Sequence, residues 1–235
     1  VAVNVVILAA GMGTRLGRPY PKPLTPLLEG RSILRQQLDN IRGTFGDTAH
    51  TTLVVGFKMD LIMEVACNDA AFVYNEVYDQ TNTSKSLLKG LRFAPPGGVL
   101  WMNGDVVFER DLLEELRPYL ESDTTFVAVN TASVAEEEVK YTLDGDGYIA
   151  DLSKQVTGGL GEAVGINHVS AADRPVLMRA LAGCADDDYF ERGIETAIAG
   201  AGLKVVAVDI SAYGCVEVDF DADLERANKL GEVLP

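Results

Sequence analysis

Two isolated cations behind a glycine turn, Arg15 and Lys22, are suited by type and spacing to hold a polyanion. The stretch around them reads LAAGMGTRLGRPYPKPL from Leu8 to Leu24. Gly11 and Gly13 carry no Cβ, so backbone N–H groups there can converge on an anion. The apolar run 3–8 before the turn has the form of a buried parallel strand that ends in a phosphate-binding loop. Acidic residues far along the chain supply the opposite charge. Asp105 follows Asn103-Gly104 at the end of another apolar run, where a ligand of a parallel sheet would sit. In CVEVDFDADL, alternation sets Glu217, Asp219 and Asp221 on one face of an extended segment. Acids that face together repel unless a cation lies between them. Asp221 or Asp223 has an alternative use as the cap of a final helix.

Three glycine-loop chemistries compete for the first stretch. A P-loop requires Gly-Lys-Ser/Thr at its end, and none is present. A dinucleotide loop is nearer, since Gly11, Gly13 and Gly17 read GxGxxxG. That chemistry needs a helix to start in the loop so that its N-terminus meets the pyrophosphate. Pro19, Pro21, Pro23 and Pro26 forbid a continuous helix, each removing an N–H and restricting the residue before it. The acid that would close the second strand on a ribose is also missing, its place taken by Gly56-Phe57-Lys58. What is left is an extended, proline-stiffened loop that suits a triphosphate held by backbone amides and two separate cations.

The elements that must position these groups alternate. Ser32 is an N-cap for a helix over 32–42, followed by a strand at 51–55, a helix at 60–66 and a strand at 71–74. Asn82 or Thr83 caps a helix bearing Leu87, Leu88 and Leu91, and a strand at 98–102 leads to Asp105. A helix at 111–120 precedes a strand at 124–130, placed centrally in the sheet. Asp144-Gly145-Asp146-Gly147 between apolar runs signals a hairpin rather than a calcium loop, because the EF-hand pattern is absent. The glycine-rich stretch 158–166 is a flexible entry into an apolar strand, and helices at 171–182 and 189–199, a strand at 203–208 and a helix at 224–234 complete the pattern. The fold class this implies is α/β: a doubly wound, mostly parallel sheet in a three-layer α/β/α arrangement. One domain over 1–235 is expected, with a first part to about 130 that carries the glycine loop and Asp105 and a second part over about 131–215 that carries the hairpin and the later helices. His168 is read as structural, and Asp186-Asp187-Asp188 as a solvated helix start.

The first loop resembles the signature LAAGxGxRL, spacer, PKPL of the nucleotidyltransferases that activate sugar phosphates and phosphocholine-like alcohol phosphates, the MobA-like NTP transferase superfamily. The short spacer between Arg15 and Lys22 is similar to the small cytidylyltransferase branch, of the phosphocholine cytidylyltransferase type. The resemblance implies catalytic roles for Arg15 and Lys22, and nucleotide contacts from Leu8, Ala9, Ala10, Gly11, Gly13 and Thr14. It implies that Thr81, Asn82 and Ser84, in a segment ending Ser86-Leu87, close over the base. Gly104-Asp105 matches the family's GD motif, so Asp105 binds the metal beside the nucleotide. The stretch 217–224 resembles the family's closing acidic segment, so Asp219 completes the metal site, with Glu217 or Asp221 as a further ligand. Lys154 is implied near the acceptor phosphate. Gly161-Glu162-Ala163-Val164-Gly165 resembles a Gly-Glu-x-x-Gly segment that lines the acceptor pocket, with Glu162 receiving a hydroxyl or amine and Gly165 allowing close approach.

Bulk composition limits the partners. At 235 residues and 47% hydrophobic the chain can bury a substantial core. A net charge of −15 disfavours a nucleic-acid backbone or an anionic membrane as partner. Three widely spaced cysteines without metal or redox spacing fit reduced thiols and a cytoplasmic location. The first apolar run is far short of the ~20 residues of a membrane span. The expectation is a Mg²⁺-dependent transferase that moves a nucleoside monophosphate, CMP from CTP by preference, onto a small phosphorylated alcohol such as phosphocholine or a polyol phosphate. A sugar-1-phosphate enzyme using UTP, dTTP or GTP shares that chemistry. An NAD(P)-dependent oxidoreductase is the alternative of a different class.

Overall fold

The computed structural model describes residues 2–13, 16–132, 134 and 138–230. Strands and helices alternate from the first strand onward. β1 (Val3–Ala9) leads through the proline loop to α1 (Ile33–Phe45), β2 (Ala49–Val55), α2 (Met59–Ala66) and β3 (Ala71–Tyr74). Then follow α3 (Thr83–Phe93), β4 (Val99–Asn103), the short β5 (Val106–Phe108), α4 (Asp111–Glu121) and β6 (Phe126–Asn130). A hairpin of β7 (Lys140–Leu143) and β8 (Ile149–Ser153) precedes β9 (Glu162–Val169). α5 (Arg174–Gly183), α6 (Phe190–Ala201), β10 (Val206–Asp209), β11 (Cys215–Glu217) and α7 (Asp221–Leu230) complete the chain.

The main sheet runs in the order β10-β6-β9-β4-β1-β2-β3. β4, β1, β2 and β3 are parallel neighbours, as are β10 and β6. β9 is antiparallel to both β4 and β6. The sheet is therefore mostly parallel, as the alternation of elements implies. β6 does not lie centrally as its apolar run suggests, because β9 inserts between it and β4 and leaves it next to the edge strand β10. Burial on both faces makes such a strand look central in sequence whatever its rank in the sheet.

The pleat of β1 divides the core. Val5, Ile7 and Ala9 face the layer built by α1, α2 and α4, whereas Val6 and Leu8 face α3, α5 and α6. A third, smaller cluster packs Leu27, Ile33, Val107, Val218 and Ala227 together, so α7 lies against β5 and β11. These two strands pair antiparallel, Glu217 opposite Val106, and this sheet carries the acidic segment to the ends of β1 and β4.

Local chemistry sets the element ends. Ser32 caps α1, its Oγ accepting from the Arg35 N–H at 3.1 Å. Asn82 caps α3, accepting from the Thr83 N–H at 2.8 Å. Trp101 and Phe190 meet edge to face at 5.8 Å between ring centroids, which pins the start of α6 to the sheet. His168 is buried, with Nδ1 2.7 Å from the Thr124 carbonyl and its ring stacked on Phe126. Burial lowers its pKa and favours the neutral ring, so it works as a core side chain.

Candidate active site

The carboxyl ends of β1, β4 and β11, the amino ends of α3 and α6 and the first half of β9 meet at one cavity of about 520 Å³. Its floor is the turn after β1, where Leu8, Ala9, Ala10, Gly11 and Gly13 line the wall. The prolines act as expected: no α-helix forms between Pro19 and Pro26, only a short 3₁₀ turn over Lys22–Leu24. Gly13 has φ +59°, and a Cβ on it would lie 2.9 Å from the Lys22 Cβ. Glycine at this position therefore lets the Lys22 backbone pack beneath the loop. Thr14 and Arg15, two of the residues expected at the triphosphate, lie outside the described residues.

Lys22 is the hub of the site. Its Nζ donates to Asp105 Oδ2 at 2.7 Å and to Asp219 Oδ1 at 2.5 Å. The ammonium is largely buried, its side chain 10% exposed. Burial alone would lower its pKa, but the adjoining Asp105 and Asp219 carboxylates outweigh this and hold it charged. Asp105 is positioned by its own turn. Gln37 Nε2 donates to the Asn103 and Val106 carbonyls on either side of it, and the Val218 N–H donates to the Asp105 carbonyl at 3.0 Å. These bonds tie the GD turn to the acidic segment across more than a hundred residues of chain.

Glu217 joins the group from β11. Oxygens of Asp105, Glu217 and Asp219 all lie within 4.8 Å of one another. Burial first, then the charges of Asp105 and Asp219, push the Glu217 carboxyl well above the usual range. Asn103 Nδ2 donates to Glu217 Oε1 at 3.4 Å, while the buried Asp105 Oδ1 has no hydrogen-bond partner among the described residues. Oxygen donors at such spacing, with one buried oxygen unsatisfied, fit a hard divalent cation such as Mg²⁺. Asp221 is not part of this group. The chain bends into α7 directly after Asp219, so the expected alternation stops, and the exposed Asp221 pairs with Arg18 at 2.8 Å. Asp223 takes the capping role, accepting from the N–H groups of Asp219 and Phe220 at 3.0 and 2.8 Å.

The far side of the cavity is built by the hairpin, β9 and the start of α6. Glu138, Val139, Lys154, Ala163, Gly165, Asp187, Tyr189, Phe190 and Glu191 line it. Gly165 has φ +73°, and a Cβ there would come within 2.9 Å of Asn103 Nδ2. The glycine thus allows β9 to pass close to the GD turn. Lys154 Nζ lies 5.6 Å from the centroid of the Tyr189 ring. Glu191 begins α6, and its Oε2 is shielded from solvent without a hydrogen-bond partner. Burial is the main cause that raises its carboxyl pKa to about 7, with Glu138 and Glu195 adding to the rise and Lys154 opposing it.

With this geometry in view, the chain can be compared with known proteins. Residues 5–151 match the MobA-like NTP transferase domain. The chain belongs to that family. A CMP-5'-(3-aminopropyl)phosphonate synthase of Streptomyces rubellomurinus (strain ATCC 31215) is 29% identical over 248 residues, a match covering 97% of this chain and 38% of the relative. The chain therefore spans about two fifths of that protein's length. Among solved structures, an inositol-1-phosphate CTP transferase from T. maritima superposes with a TM-score of 0.79 at 15% identity, covering 100% of this chain and 99% of the other. A CTP:phosphocholine cytidylyltransferase from Streptococcus pneumoniae gives 0.76 at 18% identity, covering 98% and 99%. These likenesses show a shared nucleotidyltransferase fold.

In this member of the MobA-like family, Thr14 and Arg15 aside, the residues expected from sequence divide into those that line the cavity and those that do not. Leu8, Ala9, Ala10, Gly11, Gly13, Lys22, Thr81, Asn82, Asp105, Lys154, Gly165 and Asp219 all line the cavity. Thr81 and Asn82 do so while serving the loop itself: Thr81 Oγ1 donates to the Val77 carbonyl, and Asn82 Nδ2 donates to the Asp187 carbonyl. Ser84 and Glu162 fall outside the lining. Ser84 is fully buried within the first turn of α3. Glu162 precedes Ala163 on β9, and alternate residues of a strand face opposite sides, so Ala163 and Gly165 meet the cavity instead. Glu138 and Glu191 were not singled out by sequence. Their signals, an acidic run before a strand and an acid in the first turn of a helix, are those of ordinary surface.

Proposed function

We propose that this chain is a Mg²⁺-dependent cytidylyltransferase that moves CMP from CTP onto a small phosphorylated or phosphonate acceptor and releases pyrophosphate. The observation that carries this reading is Lys22 Nζ held between Asp105 and Asp219 at 2.7 and 2.5 Å, beside a glycine loop. A cation and its counter-carboxylates at the mouth of an amide-lined turn are the parts that in-line phosphoryl chemistry requires. An acceptor oxygen attacks the α-phosphorus, the bond from that phosphorus to the bridging oxygen of the β-phosphate breaks, and pyrophosphate leaves with the electron pair. The acceptor is already ionised near neutral pH, so no general base is needed.

The backbone at Gly11 and Gly13, with Lys22 and Arg15, would orient the triphosphate, and Lys154 would hold the acceptor phosphate. Asp105 and Asp219, supported by Glu217, would hold Mg²⁺, which when bound neutralises charge at the α-phosphate. In this reading residues to about 130 serve the nucleotide and residues 131–215 the acceptor. The choice of CTP rests on the relatives, whose names specify CMP or CTP. The test is a pyrophosphate-release screen of CTP, UTP, dTTP and GTP against phosphorylated alcohols, sugar 1-phosphates and alkyl phosphonates with Mg²⁺. Release with CTP and a small acceptor is the expected result. Release only with UTP, dTTP or GTP and a sugar 1-phosphate would replace this reading with its sugar-activating counterpart.

A further inference from the structure

The acceptor side of the cavity contains more acid than its own cation balances. Among the described residues lining the whole cavity, the cationic side chains are Lys22, committed to Asp105 and Asp219, and Lys154. Lys154 stands alone opposite Glu138, Asp187 and Glu191. Its ammonium faces the Tyr189 ring at 5.6 Å and interacts with both Glu138 and Glu191. One lysine therefore serves an aromatic face and two carboxylates together.

Glu191 is the informative member. Phe190, locked edge to face against Trp101 and donating its N–H to Thr83 Oγ1 at 3.0 Å, fixes the start of α6 and aims Glu191 at the cavity. Its Oε2 is shielded from solvent and unsatisfied. A buried carboxylate oxygen without a donor is costly, and it makes chemical sense where a ligand brings the donor. Glu138 lines the same side of the cavity and adds a second carboxyl there. A carboxylate beside an aromatic face is the usual receptor for an ammonium group.

We propose that the acceptor carries a cationic amine at the end remote from its phosphate or phosphonate, and that Glu191 and the face of Tyr189 receive it, with Glu138 adding negative charge. Without acceptor, Lys154 occupies this place. When an acceptor binds, its ammonium displaces that of Lys154, which turns to the acceptor's anionic group. The inference rests on the transferase reading above and names the acceptor class within it.

The test compares matched acceptors that differ only in the terminal group: 3-aminopropylphosphonate with 3-hydroxypropylphosphonate, and phosphoethanolamine with ethylene glycol phosphate. Pyrophosphate release is followed with Mg²⁺ and whichever triphosphate the screen selects. The wild-type protein is expected to favour the amine of at least one pair by about thirtyfold or more in kcat/KM, from a charge-assisted contact. In Glu191→Gln that preference should fall at least about tenfold, mainly through KM of the amine. Tyr189→Leu, at an exposed ring, gives a second variant whose preference should fall if the first fails to fold. A wild-type protein that uses the hydroxyl acceptors or sugar phosphates as well as or better than the amines overturns this inference and leaves the transferase reading in place. An unchanged preference in both folded variants also overturns it. Absence of pyrophosphate with every triphosphate and acceptor overturns the transferase reading and this inference with it.

Discussion

The two ends of the cavity solve the same electrostatic problem in different ways. At the glycine-loop end, Lys22 is clamped between Asp105 and Asp219, and both carboxylates hang on turns whose backbone groups are held by hydrogen bonds. At the far end, Lys154 leans on an exposed tyrosine, while Glu191 keeps an oxygen without a partner among the described residues. The first end is preorganised, so little reorganisation accompanies the charge changes of phosphoryl transfer. The second leaves Glu191 Oε2 without a donor, and in the proposed reading discrimination between acceptors would be gained there.

Substitutions measure that contrast, and the largest effects belong to the clamped end. Lys22→Ala and Asp105→Ala should each reduce kcat/KM by about 10³-fold or more, as loss of a preorganised charge in phosphoryl transfer does. Circular dichroism should show an intact fold, because neither side chain builds the three apolar clusters. Wild-type-like rates in either purified variant would break the assignment. Lys154→Ala should act more gently, raising the acceptor KM by about 10–100-fold through loss of one ionic contact. Steady-state kinetics with each substrate varied would separate this from an effect on the triphosphate KM, expected to stay within about twofold.

Stability offers a comparison independent of turnover. The Glu191 carboxyl rises from its ordinary value of 4.5 to about 7 in the folded chain, mainly through burial. The folded state therefore binds more protons than the unfolded state between those values, and stability falls as pH rises through that window. Glu191→Gln removes the penalty, so it should melt higher than the wild type at pH 8 and alike at pH 4. The gain should be on the order of 2 kcal/mol, or roughly 4–8 °C for a chain of this size. Equal melting temperatures at pH 8 would show that the carboxylate is satisfied there. The smallest effect belongs to Arg18→Ala, which removes the exposed ion pair with Asp221. It should cost less than about 1 kcal/mol and leave turnover near wild type, which sharpens the line between Asp219 and its neighbour Asp221.

What was legible in sequence follows the same division. The glycine turn, the prolines and Lys22 act as one short segment, where each residue's conformational limits apply to its neighbours, so their spacing alone announced an anion site. Gly104-Asp105 at the end of an apolar run marked a ligand position, but its metal role, like that of Asp219, was implied by the family resemblance rather than by local spacing. Asp221 was harder, because alternation holds only while the chain stays extended, and the turn into α7 ends it. β5 is three residues long and pairs with β11 from the far end of the chain, so no local period marks it. Ser84 and Glu162 occupy promising segments but face away from the cavity lining, a matter of rotation that helix and strand packing decide.

By itself the sequence determined the alternating α/β order, the parallel core strands and the non-helical glycine–proline loop, because propensity, proline stiffness and apolar periodicity act over a few residues. Only the tertiary structure decided that Lys22, Asp105, Glu217 and Asp219 meet, and that Glu138, Lys154, Tyr189 and Glu191 line the same cavity. Those meetings depend on β9 passing between β4 and β6 and on β11 pairing with β5. The energy of such pairings comes from residues far apart in the chain, and no local pattern encodes where they meet.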